Sequence, residues 1–171
     1  MHSSSDRAPR VASLLPSATE LVCACGLQDR LVGVSHECDH PAGVSQLPVL
    51  TSSKVFAQAL SRDIDRDVRQ VLRDALAVYD IDVELLGQVE PDVIVTQDLC
   101  DVCAVSLSDV EKAVAELARP GIRIVNLHPK VLGDIWDDLR KVGAATGREQ
   151  EAEAACAAMD RRRDAVRTRW T

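Results

Sequence analysis

The sequence is poor in aromatic side chains. Phenylalanine, tyrosine and tryptophan make up 2% of its 171 residues, and the four are Phe56, Tyr79, Trp136 and Trp170. Apolar residues nevertheless account for 46% of the chain. A domain of this length buries roughly two thirds of the surface that its unfolded form exposes. We therefore expect one core built mainly from valine, leucine, isoleucine and alanine.

Long apolar runs are also missing. No stretch approaches the roughly 18 to 20 apolar residues that cross a bilayer, so we expect no direct membrane insertion. The first ten residues are polar and lack the apolar segment of a secretory signal, which predicts a cytoplasmic protein for the sequence as written. The net charge of -7 argues against a nucleic-acid partner, because phosphate binding needs clustered lysine and arginine.

Several motifs of common enzymes are absent. The chain contains no G-x-x-x-x-G-K-[ST] phosphate loop, no G-x-S-x-G nucleophile elbow and no G-x-G-x-x-G dinucleotide fingerprint. The sequence therefore shows no phosphate cradle and no standard hydrolase elbow, and we expect no required cofactor and no enzymatic activity.

Apolar runs and turn signals predict an alternation of strands and helices. Strands are predicted at residues 11–15, 31–34, 47–50, 93–96 and 122–126, and helices at 17–26, 64–76, 83–89, 109–118 and 131–145. Two helix starts carry S-x-x-E capping boxes, at Ser17 with Glu20 and at Ser108 with Glu111. Residues 51–61 form a polar connection in this scheme. The alternation favours an α/β lobe over residues 10–147, with a parallel sheet flanked by helices and ligands outside the carboxyl ends of the strands.

Residues 149–170 are predicted to form one long C-terminal helix. The segment has no glycine or proline and would measure about 33 Å at 1.5 Å per residue. Two interpretations stay open: a helix packed on the sheet, or a bridge to something beyond it.

Polar loops follow three of the predicted strands. They contain Pro16 and Ser17 after the first strand, His36, Glu37 and Cys38 after the second, and residues 96–103 after the fourth. These loops predict a cleft at one rim of the sheet, since rigid strands position adaptable loops. The alternative is that they are ordinary solvated turns.

The six cysteines, which we expect to be reduced, raise the possibility of a metal site. Cys100 and Cys103 form a C-x-x-C, and with His36 and Cys38 they could supply four ligands to zinc. A lone C-x-x-C lacks the second paired knuckle of a structural zinc site. A reduced thiol pair that shapes a loop is the alternative.

Three segments resemble the cobalamin and iron-siderophore class of periplasmic binding proteins. They are RVASLLPSATELVCACG at 10–26, LVGVSHECDHP at 31–41 and EPDVIVTQ at 90–97. The SHECD and TQDLCDVCAVS segments are similar to a cobalamin-binding subgroup of that family. The resemblance covers essentially residues 10–170.

This resemblance implies a fold and a function. Members have a class III periplasmic-binding-protein fold, in which two Rossmann-like α/β lobes are joined by one long helix and the ligand lies between them. Residues 10–147 would be the N-terminal lobe and 149–170 the interlobe helix, with the second lobe absent. The implied partners are a small-molecule ligand, either cobalamin (vitamin B12), another corrinoid or a related metal chelate such as an iron siderophore, and an ABC permease. The family's compartment is periplasmic or extracytoplasmic.

The resemblance also assigns site residues. The ligand-facing candidates are Pro16, Ser17, His36, Glu37, Cys38, Ser52, Ser53, Lys54, Thr96 and Gln97. Glu84 matches the position whose carboxylate docks on an arginine of the permease. Relatives that grip the flat corrin use aromatic side chains in these loops, where this chain has only Phe56. Two other functions remain open: a metal- or thiol-dependent protein using His36, Cys38, Cys100 and Cys103, or an inactive truncated binding protein.

Overall fold

A four-stranded parallel sheet forms the centre of the fold. The structure is a computed structural model that describes residues 7–53, 79–97, 107–117 and 121–169. In this part of the chain the strands are β1 (Val11–Ser13), β2 (Leu31–Gly33), β3 (Thr51–Ser53), β4 (Tyr79–Ile81), β5 (Val93–Gln97) and β6 (Arg123–Leu127). The helices are α1 (Pro16–Ala24), α2 (Val83–Gln88), α3 (Leu107–Glu116), α4 (Asp134–Thr146) and α5 (Glu149–Arg169). The predicted helix at 64–76 lies outside the described residues.

The strand order is β2-β1-β5-β6, and all three pairings are parallel. Val11 of β1 is paired with Leu31 of β2 on one side and with Val93 of β5 on the other. The chain therefore leaves the centre of the sheet in both directions, which makes the carboxyl ends of β1 and β5 a topological switch point. The predicted parallel α/β lobe is confirmed.

Each face of the sheet is covered by its own core. Because side chains alternate along a strand, Val93 and Val95 point to one face and Ile94 to the other. The first face packs against α1, α4 and α5, and the second against α2, α3, β4 and Leu50. Burial on both faces explains why the central strands are continuous apolar runs in the sequence.

Strands β3 and β4 form a separate antiparallel ribbon. Thr51 pairs with Ile81 and Ser53 with Tyr79. The prediction of a strand at 47–50 is wrong in position, because only Val49 makes an isolated bridge, to Val34. The strand begins at Thr51, in the predicted polar connection, and β4 was not predicted at all. Strands of three mostly polar residues contain no apolar run that would reveal them.

Both predicted capping boxes are wrong. Helix α1 begins at Pro16, with Leu15 at the N-cap and no side-chain cap, so Ser17 lies inside the first turn. Proline suits the first helical position because the amide hydrogen it lacks would have no partner there. Ser108 likewise lies within α3. A side-chain cap does occur at α2, where Asp82 Oδ1 accepts a hydrogen bond of 2.8 Å from the amide of Leu85.

Helix α4 begins at Asp134, three residues later than predicted. The carboxylate of Asp134 accepts hydrogen bonds from the amides of Lys130 (2.7 Å) and Val131 (2.9 Å). These bonds hold the preceding residues in a turn. Gly147 ends the helix as predicted, with a left-handed φ of 69° that favours glycine.

The long C-terminal helix is confirmed. Helix α5 has 21 residues, or about 32 Å of length. Its first half buries Ala152 and Cys156 against the lobe, whereas residues 161–169 are all exposed. In the described ranges no helix combines the length and hydropathy needed to cross a membrane.

Candidate functional site

The carboxyl edge of the sheet brings together two of the predicted loops and the first two residues of a third, the rest of which lies outside the described residues. The start of α1 follows β1, the loop at 34–41 follows β2, and Gln97 ends β5. Ser17 is exposed, and Pro16 and Gln97 are half-buried. Thr96 is fully buried within the sheet, so its side chain supports the edge from inside. The first turn of α1 presents amide hydrogens and the positive end of the helix dipole to this edge.

His36 is held by the neighbouring ribbon. Its Nδ1 lies 2.7 Å from Thr51 Oγ1, and its backbone amide donates to the same oxygen at 3.1 Å. The ring of Tyr79 meets the imidazole edge-on, with a distance of 4.9 Å between ring centroids. Three contacts from β3 and β4 therefore fix the direction of the imidazole.

The Thr51 hydroxyl is the centre of a small polar network. It is buried, and it donates to Ser35 Oγ at 3.1 Å. Ser35 Oγ also accepts from the amide of Glu37 at 3.3 Å. The network connects the loop after β2 to β3 and gives His36 a fixed acceptor.

The free nitrogen of His36 faces Glu37. Glu37 Oε1 lies 3.3 Å from His36 Nε2, without the alignment that a hydrogen bond requires. Nε2 is buried and has no hydrogen-bond partner among the described residues. The Glu37 side chain is 56% exposed, whereas that of His36 is 22% exposed.

Cys38 points into the core. Its Sγ lies 3.1 Å from Thr19 Oγ1, and the Thr19 hydroxyl donates to Ser13 Oγ at 2.8 Å. The Cys38 thiol and the Thr19 hydroxyl are therefore hydrogen-bonded to each other inside the core, and either atom can be the donor. Burial raises the pKa of this thiol, which favours its protonated form.

The zinc set predicted from sequence is not assembled by the described residues. His36 turns toward Thr51, and Cys38 toward Thr19. Cys100 and Cys103 lie outside the described residues, as does Lys54. No three histidine, cysteine, aspartate or glutamate side chains converge in the described ranges. That zinc site stays a prediction.

The remaining candidates are surface residues. Ser52 and Ser53 are exposed on β3, beside the hydrogen-bonding partner of His36. Glu84 is exposed on α2, where Gln88 Nε2 donates to its Oε1 at 3.3 Å. None of the comparisons or contacts tests the ligand or permease roles of these side chains, which stay predictions.

Sequence reasoning missed the residues that position the site. Thr51, Ser35, Tyr79 and Thr19 make the contacts described above, yet none was a candidate. The sequence holds one signal for them: hydroxyl residues directly follow the apolar residues Val34 and Leu50. The pairs Thr51–His36, Thr51–Ser35 and Thr19–Cys38 are 15, 16 and 19 residues apart, so their pairing depends on the tertiary fold.

A cavity lies apart from these residues, between the start of α4 and α5. Its volume is about 200 Å³, and Leu132, Trp136 and Arg163 are among its lining residues. The guanidinium of Arg163 stands 5.7 Å from the Trp136 ring. None of the predicted site residues lines it.

Comparisons with known proteins agree with this fold. A family model described as a periplasmic binding protein matches residues 11–170. The fold is similar to that of the vitamin B12 binding protein BtuF of Vibrio cholerae, with 23% identity, a TM-score of 0.61, and coverage of 95% of this chain and 51% of that chain. No curated protein matches the sequence.

Two further solved structures share the fold. A periplasmic heme binding protein from Pseudomonas aeruginosa has 22% identity and a TM-score of 0.61, with 92% of this chain and 46% of that chain covered. A possible iron-binding, periplasmic solute-binding protein from Staphylococcus epidermidis has 20% identity and a TM-score of 0.60, with 86% and 46% covered. The chain spans about half the length of these relatives.

Proposed function

Because the chain belongs to the periplasmic binding protein family, we propose that it is the solute-binding component of an ABC importer. Its ligand would be cobalamin, another corrinoid or a related metal chelate. The chain would form the N-terminal lobe and interlobe helix of a two-lobed protein that works outside the cytoplasm. Closure of the lobes on the ligand would be its mechanism, without a chemical step.

The observation that carries this proposal is the oriented imidazole at the carboxyl edge. His36 is fixed by Thr51 and Tyr79 beside the switch point of the sheet, where ligands of open α/β sheets bind. Ser17, Ser52 and Ser53 are exposed on elements next to it and offer neutral hydrogen-bonding groups. This rim suits a polar ligand with a metal at its centre, and two of the similar structures are named for vitamin B12 and heme binding.

The low aromatic content limits the choice of ligand. In the described residues, Tyr79 is the one aromatic ring that contacts His36, and its edge already packs against the imidazole. A flat corrin or porphyrin face would therefore rest on aliphatic and polar groups. For this reason we propose a metal chelate as the ligand, without restricting it to a flat corrin or porphyrin.

Calorimetric titration of the metal-stripped protein tests the proposal. The ligands are aquacobalamin, ferric heme and a ferric siderophore, each added to the wild type, to Ser17→Trp and to Ala144→Trp. Ser17→Trp places a bulky ring at the carboxyl edge of the sheet. Ala144→Trp is the control, because Ala144 is exposed near the C-terminal end of α4. We expect saturable one-to-one binding of at least one ligand, weakened at least tenfold by Ser17→Trp and unchanged by Ala144→Trp. If no chelate binds, or if both tryptophan variants bind like the wild type, the proposed site is wrong.

We also propose that Glu84 docks on the permease. It is exposed in the first turn of α2, and its Oε1 accepts a hydrogen bond from Gln88 Nε2. Glu84→Gln should leave solute binding unchanged and abolish the stimulation of permease ATPase activity by the loaded protein. Loss of solute binding in this variant would contradict a docking role.

A further inference from the structure

His36 and Glu37 bring two metal-binding atoms together at the edge of the sheet. We propose that His36 Nε2 and the Glu37 carboxylate bind a first-row divalent transition-metal ion such as Zn²⁺ or Co²⁺, with the other coordination positions open to water or to a donor atom of a solute. This goes beyond the proposed function, because it concerns the free metal ion and stands whether or not a chelate binds.

The directions of the hydrogen bonds identify which nitrogen is available. Thr51 has one hydroxyl hydrogen, and it goes to Ser35 Oγ. Thr51 Oγ1 is therefore the acceptor for both the amide and Nδ1 of His36, so Nδ1 carries the ring hydrogen. In the neutral imidazole the lone pair is then on Nε2. Histidines that bind metals commonly donate their other N–H to a fixed acceptor in this way.

The spacing of the two donors fits one ion. Two ligands on a tetrahedral zinc, each bound at about 2.0–2.2 Å, lie about 3.4 Å apart. His36 Nε2 and Glu37 Oε1 are 3.3 Å apart without being aligned for a hydrogen bond. A lone pair and a carboxylate at this distance repel each other unless a cation lies between them. Imidazole with carboxylate is a donor set that suits zinc and cobalt.

The site is rigid on one side and adjustable on the other. The contacts from Thr51 and Tyr79 hold the imidazole. The Glu37 side chain is more than half exposed, so its rotation admits the ion to Nε2 and then completes the pair. Two protein donors bind more weakly than the four of a structural zinc site, and they leave positions to exchange.

Cobalt titration followed by absorption spectroscopy tests the proposal. The full chain, stripped of metal, is titrated with Co²⁺ and then with Zn²⁺ in competition. The variants are His36→Asn, Glu37→Gln and Glu149→Gln. Asparagine keeps an N–H that can donate to Thr51 while removing Nε2, and Glu149 is a matched exposed carboxylate on α5. We expect one Co²⁺ per chain with no thiolate charge-transfer band, affinity lowered at least tenfold by the first two variants, and no change in Glu149→Gln.

Three other results of the titration would contradict the proposed metal site. Absence of saturable Co²⁺ binding would show that His36 and Glu37 do not hold a metal ion. A thiolate band that disappears in the Cys100→Ser, Cys103→Ser double variant moves the metal to the cysteines. Equal binding by all three variants assigns the metal to an unrelated surface site. None of these results depends on the chelate titrations of the proposed function.

Thr51 is a positioning residue, because it orients the His36 imidazole toward the metal ion. Two variants distinguish this role from a purely structural one. Thr51→Ser keeps the hydroxyl, and Thr51→Val keeps the shape without an acceptor. Loss of such a supporting hydrogen bond typically costs about 10–100-fold in metal affinity. We expect that loss in Thr51→Val and near-normal affinity in Thr51→Ser, with ¹⁵N NMR showing the Nδ1–H tautomer of His36 in the wild type and in Thr51→Ser. An Nε2–H tautomer in the wild type would contradict the assignment.

Discussion

At the scale of single residues, burial lowers the reactivity of the thiols in the described part of the chain. Burial raises the pKa of Cys23 to about 11 and that of Cys25 to about 11, and it also raises the pKa of Cys38. The thiolate is the reactive form. At pH 8 a thiol with a pKa near 11 is ionised in about one molecule in a thousand.

Alkylation by iodoacetamide, measured for each cysteine by mass spectrometry, tests the low reactivity of these thiols. In the native protein we expect slow reaction of the half-buried Cys23, with a rate that rises about tenfold per pH unit between pH 7 and 9. Cys25 and Cys38 should react only after unfolding in urea, which is the control. Rapid native labelling of Cys38 would contradict its place in the core.

Asp134 should make stability depend on pH in acid. Its two backbone hydrogen bonds hold the pKa of its carboxyl below the ordinary 3.8. A lowered folded pKa means that the charged form contributes stability above about pH 3.8, and this contribution is lost as the pH falls through the folded pKa. Asp134→Ala should therefore melt at a lower temperature than the wild type at pH 7, with a difference that narrows below pH 3.8. A constant difference down to pH 2 would show that the carboxylate charge is not involved.

Single residues also mark the limit of sequence reasoning. His36 and Glu37 were selected because they match the SHECD segment of a family, and the structure places their side chains together. Thr51 and Tyr79, which orient the imidazole, were not selected. Their role arises because β3 and β4 lie beside the loop after β2, and no local pattern encodes that proximity.

At the scale of elements, close packing joins α4 to α5. A Cβ added at Gly143 would lie 2.6 Å from the Cβ of Ala152 and 3.0 Å from the carbonyl oxygen of Arg148. Both are atoms that cannot swing aside. Glycine is thus needed here for close approach of the two helices.

Gly143→Ala should lower the free energy of unfolding by about 1–3 kcal/mol, the usual cost of overpacking a core. Gly133→Ala is the matched control, since nothing lies within 4 Å of a Cβ there and the backbone is already right-handed helical. That variant should be neutral or stabilising by about 0.4–1 kcal/mol. Urea denaturation measures both, and equal stability of the two variants would contradict the tight contact.

Elements differ in how well the sequence predicts them. Buried parallel strands such as β5 are apolar on both faces and stand out as runs, and α5 stands out because it lacks glycine and proline. Strands β3 and β4 are three residues each and mostly polar, so they read as loop. Both predicted capping boxes are wrong, because each helix begins before its serine. Helix α1 begins with Pro16, so Ser17 is a helical residue, and α3 begins at Leu107, so Ser108 is one too.

At the scale of the whole molecule, α5 extends beyond the body of the lobe. Its buried residues are in the first half, and the second half is exposed apart from the contact of Arg163 with Trp136. Deleting residues 161–171 should therefore cost only about 0.5–1 kcal/mol, the value of one exposed cation–π contact. Deleting residues 149–171 should unfold the lobe, because it uncovers the core around Ala152 and Cys156. Denaturation curves with equal midpoints for the two deletions would show that α5 does not support the core.

The open edge of the sheet leads to the last prediction, on affinity. Small-molecule sites commonly bury 70–90% or more of the surface of their ligand. This chain matches about half of the length of each relative. One lobe can contact one side of a chelate. A polypeptide that continues beyond Thr171 into a second lobe should bind the same chelate at least tenfold more tightly, which corresponds to about 1.4 kcal/mol. Parallel calorimetric titrations of both forms measure the ratio, with Ser17→Trp as the control in each. Equal affinity would mean that the His36 edge alone holds the ligand and that closure between lobes adds nothing to binding.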